Sequence, residues 1–173
     1  PILGLFNGIC KVYVTVIRGT PMMVQLLIMG FVIFSFSRNY TMVGALTLGI
    51  NSGAYVSEIV RSGLMSVDPG QMEAGRSLGL NYFTTMRFVV IPQAVKNILP
   101  ALGNELIVLL KETSISGYIG LMDLTRGGDI IRSQTYSALF PLLVVAAIYL
   151  VIVCFLTYLV GRLERRMRTN ERK

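Results

Sequence analysis

The chain has no histidine and only two cysteines. Without histidine it lacks the commonest general base and the commonest metal ligand. Cys10 and Cys154 stand apart with no CxxC, so neither a disulfide framework nor a metal site is expected. Cys154 lies inside VIVCFL, where a thiol behaves as a small hydrophobe. Charge is also scarce: 14% of the 173 residues are charged, against about 25% in soluble domains. No GxxxxGK[ST] occurs, so the chain cannot hold ATP phosphates in the P-loop manner. RSLGL at 76–80 is only superficially like a nucleotide-binding signature. No carboxylate pair falls within an apolar segment. A membrane enzyme is therefore disfavoured.

What is present is apolar: 53% of the residues are hydrophobic, which places the chain in a membrane. A net charge of +7 would also fit nucleic acid, but its distribution argues against that partner. Six of the sixteen basic residues lie in the last dozen positions: Arg162, Arg165, Arg166, Arg168, Arg172 and Lys173. A basic run after an apolar segment reads as a cytoplasmic anchor beside anionic lipid. The chain begins at Pro1 with no initiator Met and no signal-peptide pattern, so it reads as a piece of something longer.

One all-α membrane domain with four spans is expected over 1–173. Residues 1–19 form an amphipathic lead-in, with Val12, Val16 and Ile17 able to share a face. The spans are read at 20–36, 40–60, 94–113 and 138–160, with a basic tail at 161–173. Pro21 suits the first turn of a helix. Gln25, the one strongly polar side chain of the first span, fits an interhelical hydrogen bond or a substrate contact. Gly49 and Gly53 form a GxxxG in the second. Residues 117–135 read as a polar connection, with Asp123 and Asp129 balancing Arg126 and Arg132. The loop 61–93, with Lys96 just beyond it, holds Arg61, Arg76 and Arg87, whereas 37–39 holds only Arg38. The charge asymmetry puts 61–93 and both termini in the cytoplasm.

The stretch 68–92, DPGQMEAGRSLGLNYFTTMRFVVIP, is the polar interruption of this greasy chain. Asp68, Pro69 and Gln71 signal a helix start, and Gly79 a stop. Asn81 can cap a second short helix running toward Val90, ahead of Pro92. Ala74 and Gly75 offer a patch with almost no side chain, and Glu73 a carboxylate, to a partner's surface. A solvated surface helix without a partner fits the same pattern.

The order Glu73-Ala74-Gly75, Gly79, Ile91-Pro92 resembles the EAA loop of the membrane subunits of bacterial ABC importers. Gly75 replaces the second alanine of that pattern, and Ile91 the usual leucine. RGTPMMVQ (18–25), AYVSEIVRSGL (54–64), GQMEAGRSLGL (70–80), IPQAVKNILPALGNELIVLLKETS (91–114) and IGLMDL (119–124) resemble its polar-amino-acid branch, over roughly residues 11–163. The resemblance implies the type I transmembrane-domain fold with a cytoplasmic coupling helix, in the bacterial inner membrane. It implies five spans, so one is expected before Pro1. It implies an ATP-hydrolysing partner subunit that carries the ATP and magnesium, a second membrane subunit, and an extracytoplasmic amino-acid-binding protein. The ATPase contact falls on Glu73, Ala74, Gly75, Ser77 and Gly79.

For substrate, the candidates are Asn104, Glu105 and Lys111, polar groups in or at the end of an apolar segment, where such groups usually face a cavity or partner. Thr20 and Gln25, near the RGTP turn, join them. Glu105 and Lys111, six residues apart, point ~120° away from each other with ~9 Å between their levels, a spacing that suits flanking a zwitterion. A structural ion pair to another helix, or snorkelling of Lys111, fits as well. A passive channel would not need the 68–92 pattern, and a structural scaffold would tolerate loss of Glu73 and Gly79.

Overall fold

A computed structural model describes residues 2–169. Pro1, and Arg172 and Lys173 of the expected basic tail, lie outside the described residues. Every regular element among these is helical: α1 (Ile2–Gly19), α2 (Met22–Ile28), α3 (Tyr40–Met65), α4 (Pro69–Ser77), α5 (Tyr82–Thr85), α6 (Ile91–Glu112), α7 (Leu124–Thr135) and α8 (Leu139–Thr169). Wider π turns extend α2 over Met29–Ile33 and join α5 to α6 over Met86–Val90, and a 3-10 turn covers Thr113–Ile119. The described residues form two compact units, 2–55 with 107–155 and 56–106 with 156–169.

In the first unit, α1 and α2 meet at 107°. The break falls at Gly19–Pro21, because proline has no N–H to continue a helix and restricts the residue before it. The carbonyl of Pro21 then opens α2, accepting from the N–H of Val24 (3.0 Å) and Gln25 (3.2 Å). Leu26 of α2, Val43 of α3 and Ile119 of the 3-10 turn form the buried core, with Leu27, Met29, Phe34, Ile115 and Leu121 around it. Gly30 is what lets these layers close. A Cβ there would lie 2.9 Å from Ile119 Cγ2. Gly53 of the GxxxG faces the Tyr13 hydroxyl, 3.0 Å from where a Cβ would sit, while Gly49 meets open space. The motif is thus half used in this unit: Tyr13 also donates to the carbonyl of Ile50 at 2.5 Å.

The second unit packs around Thr85, Val90 and Ala94, all buried. Gly63 receives Ile98, whose Cγ1 would be 2.2 Å from a Cβ at 63. Gly103 receives Val160 in the same way, at 2.8 Å. Small residues at such contacts bring backbones together, which matters in lipid, where packing rather than water exclusion holds helices to one another. Two polar bonds tie the start of α6 to its neighbours. Asn97 donates to Ser66 Oγ at 2.8 Å, and Gln93 donates to Gln71 Oε1 at 3.1 Å.

Three expectations change. Residues 20–36 do not form a straight span: their helix runs from 22 to 33, and 12 residues reach about 18 Å of the ~30 Å hydrocarbon core. Among the described helices α8 alone is long and apolar enough to cross a membrane straight; α1 and α2 qualify only as a bent pair. α3 and α6 have the length, at 26 and 22 residues, but hold Thr47, Asn51 and Glu58, and Lys96, Glu105 and Lys111. The connection 117–135 is mostly helix α7, capped by Asp123, which accepts from the N–H of Thr125 and Arg126. One of its glycines, Gly128, is buried against Val145, 2.6 Å from a would-be Cβ. Finally, the helix after Asn81 does not stop before Pro92 but continues through it into α6. Pro92 cannot donate to a carbonyl four residues back. The π turn just before it, closed by the N–H of Ile91 to the carbonyl of Met86, accommodates that loss without ending the helix.

Candidate functional site

Residues 68–92 build two short helical elements with a left-handed joint. Asp68 caps α4 by accepting from the N–H of Gly70 at 2.8 Å, and Pro69 holds the first helical position. The other end is a Schellman closure: Leu80 donates to the carbonyl of Gly75 (3.1 Å) and Gly79 to that of Arg76 (2.9 Å). It requires the positive φ of Gly79, 81°, which costs glycine no Cβ clash. Asn81 then caps the next helix, accepting from the N–H of Thr84 at 2.8 Å. Each of these signals was readable in the sequence.

The small-residue patch was half misread. Ala74 is exposed, but Gly75 is buried. A Cβ at 75 would lie 2.4 Å from Thr85 Cγ2 and 2.8 Å from Thr85 Oγ1. Gly75 therefore serves the joint between α4 and α5 rather than a partner's surface. Helix periodicity places 74 and 75 about 100° apart, so both cannot face outward when one faces the following helix. Glu73 and Ser77 are exposed, and Ser77 Oγ donates to the carbonyl of Glu73 at 3.0 Å. Leu78 and Phe83, 82% and 81% exposed, add apolar side chains to this surface. Sequence reasoning passed them over, since an apolar residue at a helix end is ordinarily taken for core.

The candidates in the apolar helices fall into two groups. Thr20 and Gln25 come together in the first unit. Gln25 Nε2 donates to the carbonyl of Ile17 (2.7 Å), Thr20 Oγ1 (2.8 Å) and, more distantly, the carbonyl of Thr20 (3.1 Å). Gln25 Oε1 accepts from Asn51 Nδ2 at 2.9 Å, and the Thr20 hydroxyl donates to the carbonyl of Val16 at 2.8 Å. The Gln25 amide thus spans the break between α1 and α2 and links it to α3. The interhelical bond is the role realised here. Asn51, 2% exposed, was missed: it lies among small residues of α3 with nothing in the sequence to mark it. Beside this network, Val16, Ile17, Val24 and Thr47 help wall a mostly apolar cavity of about 220 Å³.

Asn104, Glu105 and Lys111 behave differently. All three stand on α6, and none of their side chains has a hydrogen bond or ion pair among the described residues. Asn104 and Lys111 are exposed, and Glu105 is half-buried. Ionic groups along an otherwise apolar helix are costly in lipid, and such groups usually face a cavity or a partner. Glu58, by contrast, is held by Arg61, whose Nε donates to it at 3.0 Å.

Residues 3–169 match the family model for the binding-protein-dependent transport system inner membrane component. The putative glutamine transport system permease protein GlnP of Rickettsia typhi is 38% identical over 184 residues, covering 98% of this chain and 84% of the relative. The arginine transport system permease protein ArtQ of Bacillus subtilis is 38% identical over 185 residues, with 98% and 84% covered. A solved structure described as an amino acid ABC transporter with histidines superposes with a TM-score of 0.84 at 51% identity, over 90% of this chain and 74% of that one.

Proposed function

Because the chain belongs to the family of binding-protein-dependent transport system inner membrane components, we propose that it is the permease subunit of an ATP-driven importer of polar amino acids. The observation that carries this is α4. It is capped at Asp68, closed at Gly79 and locked onto Thr85, and it presents Glu73, Ala74 and Ser77 outward, with Leu78 at its C-terminal end and Phe83 of α5 also exposed. A short helix so braced on its inner side and so bare on its outer side is built to be gripped. Its partner in this reading is a separate ATPase subunit, which binds ATP and magnesium. Closure of the ATPase pair displaces α4, and the helix starting at Tyr82 carries that displacement into α6, moving the membrane helices between outward- and inward-facing states.

The loop 61–93 and the C-terminus lie in the cytoplasm in this reading, supported by the clustering of basic residues there. A second membrane subunit and an extracytoplasmic binding protein complete the assembly. The substrate is a polar amino acid: relatives at 38% identity are named for glutamine and arginine transport. Asn104, Glu105 and Lys111 on α6 are the substrate-facing groups, and an unpaired Glu105 favours a basic side chain. Co-purification with candidate ATPase subunits, then ATP-dependent amino-acid uptake in proteoliposomes, tests the whole. A stable complex with uptake is expected; no complex and no uptake would refute the importer.

A further inference from the structure

The stretch after Lys111 holds a second polar concavity that none of the foregoing uses. The 3-10 turn Thr113–Ile119 ends at Gly120, whose φ of 92° turns the chain back toward α7. Gly117 lies directly under the first turn of α7. A Cβ there would sit 2.8 Å from Asp123 Oδ1 and 3.2 Å from Arg126 Cβ. The glycine thus lets the two turns close on one another, and a cavity of about 450 Å³ opens beside them, walled by Tyr40, Ser114, Tyr118, Asp123, Arg126 and Asp129. That volume is within the ~300–1,000 Å³ of small-molecule sites.

The charges of this wall are unevenly satisfied. Asp123 accepts two backbone N–H groups, from Arg126 (3.1 Å) and Thr125 (3.2 Å). Asp129 pairs with Arg132 at 3.1 Å. The Arg126 guanidinium has no partner among the described residues. The open valence of the cavity is therefore a planar, forked cation, which fits a carboxylate through two parallel N–H···O bonds. Two carboxylates on the same wall disfavour a multiply charged anion such as phosphate, but they suit a ligand that carries an ammonium beside its carboxylate.

The geometry points to an entrance site for a zwitterionic α-amino acid, with the α-carboxylate on Arg126 and the α-ammonium toward Asp129 and the hydroxyls of Ser114 and Tyr118. The inference rests on the importer reading. In the orientation proposed above, this stretch lies on the outer side.

The test uses the permease assembled with its ATPase in lipid nanodiscs, without binding protein, titrated calorimetrically with L-glutamine, L-arginine and L-glutamine α-carboxamide. Arg126→Gln keeps the Cβ that packs on Gly117 and is expected to weaken amino-acid binding at least tenfold. Arg126→Lys is expected to retain part of the affinity, and the α-carboxamide to bind the unmodified protein at least tenfold more weakly than L-glutamine. Unchanged affinity in Arg126→Gln, or equal binding of acid and amide, overturns the site while uptake by the unmodified complex upholds the importer. In a parallel ATPase assay with binding protein added, loss of its stimulation in Arg126→Gln at unchanged calorimetric affinity also overturns the site, assigning Arg126 to protein docking instead. If the unmodified complex takes up no amino acid, the importer reading falls and the site with it.

Discussion

Gly75 and Thr85 are in contact at a distance no other residue at position 75 permits: a Cβ would lie 2.4 Å from Thr85 Cγ2. The contact fixes α4 against the helix that follows, and Thr85 is itself held, its hydroxyl donating to the carbonyl of Asn81 at 3.0 Å. Gly75→Ala is expected to force the two helices apart at a cost of about 1–3 kcal/mol, typical of overpacking. Thermal unfolding of the purified subunit and ATP-driven uptake should both suffer. Thr85→Ala in the same chain should restore most of the loss, and a double-mutant cycle without coupling between 75 and 85 would refute the account.

The Gln25–Asn51 amide pair is expected to be worth about 1–2 kcal/mol, since removing one partner leaves the other's polar atoms unmet in an apolar setting. Gln25→Leu and Asn51→Leu should each lower the melting temperature. The double variant should lose less than the sum of the two, because it leaves no orphaned amide. Additive losses would show that the pair does not act as a unit.

The caps of the 68–92 stretch make a separable prediction. Asp68→Ala and Asn81→Ala should each cost about 1 kcal/mol, and Gly79→Ala a similar amount from its left-handed backbone. Hydrogen exchange is the direct measure. Amides of 69–77 should exchange roughly fivefold faster in Asp68→Ala, with α8 unchanged. A uniform increase along the chain would mean global loosening rather than loss of a cap.

Glu105→Gln tests the preference for basic substrates. Uptake of arginine and lysine should fall at least about tenfold, or ~1.4 kcal/mol, relative to that of neutral polar amino acids. Equal losses across the panel would remove the selectivity role and leave Glu105 a general component of the helix.

Local signals survived best from sequence to structure. Asp68, Gly79 and Asn81 act through backbone groups two to five residues away, so their meaning is contained in a short window. Residues whose role depends on a distant neighbour were opaque. Gly75 is silent without Thr85, Asn51 without Gln25, and Gly128 without Val145. The connection expected over 117–135 holds α7, because along a chain glycines that lower helix propensity and glycines that allow close packing look the same. The span at 20–36 was overread for a related reason: an uncharged run reports apolar surroundings and not straightness, and Pro21 with the Gln25 network places a bend at its start. Asn104, Glu105 and Lys111 stood out by chemistry alone, and the structure gives none of them a partner among the described residues.

The π turn at Met86–Val90 has a consequence of phase. Such a turn is equivalent to one residue inserted into an α-helix, and each residue of an α-helix swings its side chain by ~100°. With uniform α geometry between Thr85 and Glu105, the carboxylate would point roughly a quarter-turn away from its present heading relative to the joint at Gly75. The length of chain between the cap at Asn81 and the carboxylate is therefore under the same constraint as the residues themselves. A single deletion or insertion there re-aims Glu105 without altering one atom of its side chain.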